Sequence, residues 1–241
     1  LTVRPVAATR GSCPRSLRPI ESPPEAIPLD TGASLLTEPR RTPLYQSHVD
    51  LGARMTEFGG WDMPVWYEGI AEEHAAVRTS VGLFDVSHMG EFVVHGPGAL
   101  DFLRRTLSND AADLEVNQAQ YGVIPNLGGG TIDDLLTYKL DDSVYLLVVN
   151  ASNIEKDFAW LSELKEPSVE LDNRSFDKAL IAVQGPKAVD TLAGLTPLPV
   201  ADFGYYKFDR GEVAGGQALV ARTGYTGGDG FEVMTEWGEA G

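Results

Sequence analysis

The sequence predicts an α+β chain in which antiparallel sheets are flanked by helices. Three observations predict it. Short strand patterns rich in Val, Leu, Ile and Tyr follow one another through glycine-bearing turns, as in GGGTIDDLLTYKL from Gly128 to Leu140. Helical patterns interrupt these strands only occasionally, so the regular strand–helix alternation of a doubly wound parallel sheet is missing. The chain of 241 residues, 43% hydrophobic and 22% charged, is long enough and apolar enough to bury a large core.

Residues 1–41 stand apart as a Pro- and Arg-rich leader without hydrophobic periodicity. Six arginines face four acids there, leaving the remaining 200 residues at −18 of the total −16. A basic, acid-poor leader fits an organellar transit peptide, but its prolines spoil the amphipathic helix such peptides use. A disordered or spurious extension is the preferred reading. From residue 42 to 241 the chain becomes regular. Thr42-Pro43 reads as an N-cap and first helical position, opening a helix with Leu44, Leu51, Met55 and Phe58 on its apolar side. A second helix is expected from Ile70 to Thr79, closed by Gly82. Strands follow at Leu83–Val86, Glu91–His95, Gln120–Pro125, Thr131–Leu140 and Val144–Asn150, with helices at Gly98–Leu107 and Ile154–Leu164. The last strands expected are Val169–Asp172, Ala179–Gln184, Ala218–Arg222 and Gly230–Trp237, with a helix near Lys187–Leu195.

Charge and composition exclude several functions. A net charge of −16 argues against nucleic acid, whose phosphates reward Lys and Arg. No apolar run approaches the roughly 18 residues of a membrane span. Cys13 is the single cysteine, which rules out an internal disulfide framework or a cysteine-based zinc cluster. The histidines His48, His74, His88 and His95 lack metal-ligand spacing, so no metal is expected, and His88 reads as a structural histidine.

Two stretches carry candidate chemistry. Successive strand side chains face opposite ways, so Asp133 shares a face with Leu135, Thr137 and Lys139, and Asp134 shares one with Ile132, Leu136 and Tyr138. Asp133 is therefore expected on a mixed outer surface, solvated or bonding to a turn. Asp134 is expected to point into an apolar environment, where a carboxylate is costly unless paired. Structural and functional roles for it both stay open. In ARTGYTGGDGFEVM, four glycines lie between Gly224 and Gly230 beside Tyr225 and Glu232. This run is either a plain hairpin loop or a site of close backbone approach. There an aromatic face and a carboxylate would suit a flat heterocycle with an amino-pyrimidine edge.

Six ordered blocks together resemble the T-protein family of the glycine cleavage system. They are RTPLYQSHVDLGARMTEFGGWDMPVWY, HAAVRTSVGLFDVSHMGE, GGGTIDDLLTYKL, VVNASNIEKDF, LIAVQGP and ARTGYTGGDGFE. The resemblance covers nearly everything from Arg41 onward. It implies a folate-binding aminomethyltransferase-like fold, with the family's later arginine-bearing segment and C-terminal β-barrel domain missing, so truncation is expected. It implies that Asp134 is catalytic and that Met89, Val93, Tyr121, Val148, Asn150, Tyr225 and Glu232 line the folate pocket, Glu232 at the pterin edge. Tetrahydrofolate is the implied co-substrate, and the lipoylated H-protein the implied partner. Family members commonly carry Glu where this chain has Gly228, so a looser turn is expected there. Three alternatives stay open: an iron–sulfur maintenance relative, the folate domain of a sarcosine- or dimethylglycine-oxidising enzyme, and a non-catalytic folate-binding fragment. A bacterial cytosol suits the acidic body, and a mitochondrial matrix would suit the leader.

Overall fold

The computed structural model describes residues 38–241; the expectations for residues 1–37 of the leader lie outside the described residues. Among the described residues, Arg40 is already paired, two residues before Thr42. Arg40 forms a bridge to Trp61, its N–H donating to the Gly60 carbonyl and its own carbonyl accepting from Asp62.

The long first helix expected from Thr42 is instead a short α1 (Tyr45–Asp50) followed by a hairpin of β1 (Arg54–Phe58) and β2 (Trp61–Trp66). Gly52, at φ +78°, ends the helix, and Gly59 and Gly60, at φ +60° and +85°, supply the tight hairpin turn that such a left-handed pair favours. Met55 and Phe58 thus sit on a strand. Thr42 does not cap the helix; it is buried, and Leu44 takes the N-cap position. Helix α2 (Ile70–Thr79) lies where expected, although Ser80 and not Gly82 closes it.

The remaining elements are β3 (Gly82–Asp85), β4 (Gly90–His95), α3 (Ala99–Thr106), β5 (Gln118–Pro125), β6 (Thr131–Asp141) and β7 (Val144–Val149). They continue with α4 (Ile154–Leu164), β8 (Glu170–Asn173), β9 (Lys178–Gln184), α5 (Ala188–Ala193), β10 (Phe208–Val213), β11 (Gly216–Ala221) and β12 (Gly230–Glu236). Strand β10 was not expected, because FDRGEV carries charges and a glycine where a buried strand would be apolar; it is an edge strand, paired on one side only. Two five-stranded sheets result, ordered β10-β11-β12-β9-β3 and β5-β6-β7-β4-β8, and every pairing within them is antiparallel.

Side-chain alternation sorts the core into layers. Leu136, Tyr138, Leu146 and Val148 of the second sheet meet Leu180, Leu219, Ala221 and Met234 of the first. On the far face of the second sheet, Phe92, Leu135, Tyr145 and Leu147 pack against Phe102 and Leu103 of α3 and Leu161 of α4. On the far face of the first, Val183, Val220 and Phe231 pack against Leu192 of α5. The start of β6, the end of β7, the end of β9 and the start of β12 fall at one rim of the layer between the sheets.

The register of β6 against β5 shifts once, between Asp133 opposite Ile124 and Thr131 opposite Pro125. Ile132 is the extra residue of this bulge. It packs with the helix-side core although simple alternation puts it on the Asp134 face. The expected surface position of Asp133 is overturned. Its face is covered by α4, and Asp133 is only 7% exposed.

Candidate functional site

Asp134 stands at the rim just described, half-buried, on the wall common to two cavities. The first, of about 310 Å³, runs between the sheets and is lined by Phe84, Val86, His88, Met89, Val148, Asn150, Leu180, Ala182 and Glu232. The second, of about 380 Å³, is bounded by Tyr121, Tyr206, Thr223, Gly224 and Gly227. Asp134, Leu136 and Tyr225 border both.

Three neutral donors hold the Asp134 carboxylate. Tyr121 and Tyr225 donate their hydroxyls to Oδ2 at 2.9 and 3.0 Å, and Asn150 Nδ2 donates to Oδ1 at 2.8 Å. Tyr121 reaches it as the diagonal cross-strand neighbour, since Val123 lies directly opposite Asp134. Among the described residues no Lys or Arg pairs with it. The charge is therefore oriented but not cancelled. The Tyr225 phenol is pushed up to about 12, by burial of its hydroxyl end and then by the hydrogen bond to Asp134. Tyr121 is raised too, first by its bond to Asp134.

Glu232 lies deeper in the first cavity. Burial raises its carboxyl above the usual range, opposed by hydrogen bonds from Thr223 and Tyr138. Both bonds fall on Oε2, from the Thr223 hydroxyl and, at 3.4 Å, from Tyr138, which leaves Oε1 for a ligand. His88 borders the same cavity with a buried Nδ1 that has no partner among the described residues, and burial lowers its imidazole below the ordinary value, against the pull of Asp85.

Of the residues singled out from sequence, Met89, Tyr121, Asp134, Val148, Asn150, Tyr225 and Glu232 converge on these two cavities. Val93 does not. It lines a third cavity of about 790 Å³ toward the other end of the strands, with Leu140, Leu146, Lys178 and Trp237. Larger as it is, that cavity holds neither Asp134 nor Glu232.

Sequence reasoning missed the residues that hold the glycine-rich loop. Gln184, 1% exposed, donates through Nε2 to the carbonyls of Thr223 (3.0 Å) and Phe231 (3.1 Å), and its Oε1 accepts from the Thr226 hydroxyl (3.0 Å). A Cβ on Gly224 or Gly230 would lie 2.2 or 2.5 Å from this amide. Those two glycines admit the Gln184 side chain, which carries the loop bearing Tyr225. The only sequence signal was a polar residue ending the apolar run LIAVQ. At the turn carrying Gly228, Arg222 grips Asp229 with two hydrogen bonds, and Thr226 Oγ1 accepts from the Gly228 N–H. Gln184→Leu would orphan two buried carbonyls, at about 1–3 kcal/mol each. A drop of several degrees in Tm, with faster proteolysis near Tyr225, is expected in thermal and limited-digestion measurements; an unchanged Tm would remove this role.

Comparison with known proteins agrees with this architecture. Residues 44–241 match the GCVT N-terminal domain. The aminomethyltransferase of Thermotoga maritima is 52% identical over 198 residues, covering 82% of this chain and 54% of that protein. That of Bacillus velezensis is 52% identical over 195 residues, covering 80% and 53%. The chain thus spans about half the length of the curated relatives it matches. Among solved structures, the glycine cleavage system aminomethyltransferase T of Bartonella henselae superposes with a TM-score of 0.77 at 35% identity, over 83% of this chain and 55% of that one. A heterotetrameric sarcosine oxidase from Corynebacterium shares the fold alone, at a TM-score of 0.55 and 14% identity. With its matched domain and half-identical relatives, the chain belongs to the GCVT aminomethyltransferase family.

Proposed function

We propose that this chain carries the folate-binding, catalytic part of an aminomethyltransferase of the glycine cleavage system. In the proposed reaction the carbon moves from the dihydrolipoyl-lysine arm of the H-protein to tetrahydrofolate, and ammonia is released. The observation that supports it best is the Asp134 carboxylate, oriented by three neutral donors and uncancelled, where two cavities meet. Two approaches to one anion let an acceptor and a donor group come together from different sides.

The residues present fit a reduced pterin. The first cavity is walled by Met89, Val148, Leu180 and Ala182, apolar surfaces suited to a flat ring, and Glu232 Oε1 is free to accept N–H groups from an amino-pyrimidine edge. Tetrahydrofolate supplies the accepting nitrogen. Asp134 faces the reacting carbon. Cleavage of the carbon–sulfur bond builds positive charge on the aminomethyl group, and a fixed anion in a water-poor site lowers the barrier to it. The sulfur leaves with the electron pair and takes the proton released by the accepting nitrogen as that nitrogen bonds the carbon, giving the dihydrolipoyl thiol. The second folate nitrogen then displaces ammonia from the same carbon, its own proton leaving with the amine. Tyr121, Tyr225 and Asn150 keep the carboxylate aimed, so no reorganisation is needed as charge develops. Val93, in a different cavity, has no part in this reading.

Calorimetric titration with tetrahydrofolate, followed by a glycine-forming assay with lipoylated H-protein, tests it. Saturable binding blocked by a bulky substitution at Met89 is expected. Absence of tetrahydrofolate binding would overturn the reading.

A further inference from the structure

Behind Asp134, on the helix side of the second sheet, two carboxyl groups meet. Asp157 of α4 is fully buried, and neither of its oxygens receives a hydrogen bond from an N–H or hydroxyl among the described residues. The group it can bond is Asp133 of β6. Asp133 already accepts three N–H bonds: Oδ1 from Asn150 Nδ2 at 2.9 Å and Asn153 Nδ2 at 2.8 Å, and Oδ2 from the Asn150 backbone at 3.3 Å. Two carboxylates in contact away from water cannot both be ionised. The negative charge belongs on Asp133, where the donors are, so the proton belongs on Asp157.

Asn150 connects this pair to the cleft. Its side-chain amide has two hydrogens; one is donated to Asp133 Oδ1 and the other to Asp134 Oδ1, at 2.9 and 2.8 Å. We propose that Asp157 is a positioning residue which, by donating its O–H to Asp133, fixes Asn150 and so holds the Asp134 carboxylate toward the cleft. This rests on the role proposed for Asp134 and adds a protonation requirement to it. Without Asp133 the Asn150 amide would keep only its bonds to Asp134, the carboxylate at 2.8 Å and the carbonyl at 3.3 Å, and would lose the contact that sets its orientation against Oδ1 from behind.

The electrostatics agree with the geometry. Burial, with the hydrogen bond and charge of Asp133, pushes Asp157 up to about 8; the opposing charge is Lys156 of its own helix, 4.0 Å from Oδ1, whose Nζ also donates to the Ile132 carbonyl. Asp133 stays below its ordinary value, burial being outweighed by hydrogen bonds from Asp157, Asn150 and Asn153. The folded protein therefore holds a proton on Asp157 that the unfolded chain has released. Stability falls as pH rises from the ordinary Asp range toward about 8 and is level above it.

The test follows the Asn150 side-chain amide by ¹⁵N NMR from pH 6 to pH 10 in the whole chain, as wild type, Asp157→Asn and Asp157→Leu. In the wild type the Asn150 signals should shift with a midpoint near pH 8. In Asp157→Asn, whose amide donates to Asp133 without titrating, they should keep their low-pH positions throughout, and the fall of Tm toward pH 8 should be smaller than in the wild type. Asp157→Leu, which keeps bulk but not the donor, should show altered Asn150 signals at every pH. Wild-type signals that do not titrate would overturn the proposal, as would the same titration in Asp157→Asn. If Asp157→Asn fails to fold, the wild-type titration of the Asn150 amide still decides it. These readouts do not depend on aminomethyl transfer. A failure of the function proposed for Asp134 therefore shows in the transfer assay and leaves the amide titration unaffected.

Discussion

Asp134→Asn is expected to fold, to bind tetrahydrofolate with near-unchanged affinity, and to lose aminomethyl transfer by roughly 10²–10³-fold in kcat, the range for removing one preorganised electrostatic contact. The substitution is nearly isosteric. The two phenols that donate to Oδ2 can rotate to accept from an amide instead, so Tyr121 and Tyr225 need not move. What disappears is the negative charge, whose value is greatest when the substrate carbon is cationic and small when it is not. The loss should therefore fall on kcat with little change in KM, the pattern of an interaction made in the transition state. Stopped assays with lipoylated H-protein measure kcat and KM, and calorimetry measures the affinity for tetrahydrofolate. Near-normal turnover would refute the assignment. Asp133→Asn should differ in kind: Asp133 is buried under α4 and bonded to Asn150 and Asn153, so its loss shows first as lowered Tm.

Alternation along β6 was enough to send Asp134 to the layer between the sheets, and it correctly separated the two adjacent carboxylates. It could not tell that the other face is covered. Helix α4 was legible from its own periodicity, but nothing local says that it lies across β6, and so Asp133 was expected at the surface. The bulge at Ile132 was equally hidden, since it depends on the partner strand. The first helix was over-extended because Leu44, Leu51, Met55 and Phe58 fit a helical spacing, whereas Gly52 and the Gly59–Gly60 pair outweigh that spacing with backbone angles few other residues adopt. Asn150 came from the family resemblance, and Tyr225 and Glu232 from the glycine-rich run with the resemblance added to it. Gln184 and Tyr138 came from neither, because they act across 39 to 94 residues of chain on groups that no local pattern joins. Supporting residues of this kind are set by tertiary contact alone.

Glu232→Gln is expected to weaken tetrahydrofolate binding by roughly ten- to hundred-fold, since a hydrogen bond to a charged group contributes about 1.5–3 kcal/mol and 1.4 kcal/mol is a factor of ten. Thr223 and Tyr138 already occupy Oε2, so the amide must present one atom to them and the other to the ligand. Either orientation leaves one side mismatched: a ligand edge with two N–H donors meets a neutral oxygen, or it meets the amide NH₂. The pH dependence gives a second handle. Burial raises Glu232, and a pterin edge requires the carboxylate, so affinity should fall on acidification at a pH above the usual carboxylate range. Binding should take up no proton well above that point and release one near it. In Glu232→Gln this acid limb should vanish, leaving uniformly weak binding. The alkaline change assigned to Asp157 should persist there, because Asp157 lies in α4, Glu232 lies in β12 of the first sheet, and the two share no hydrogen-bond partner. Calorimetry across pH in both variants separates them. Undiminished affinity in Glu232→Gln, or an acid limb that survives it, would remove Glu232 from the pterin edge.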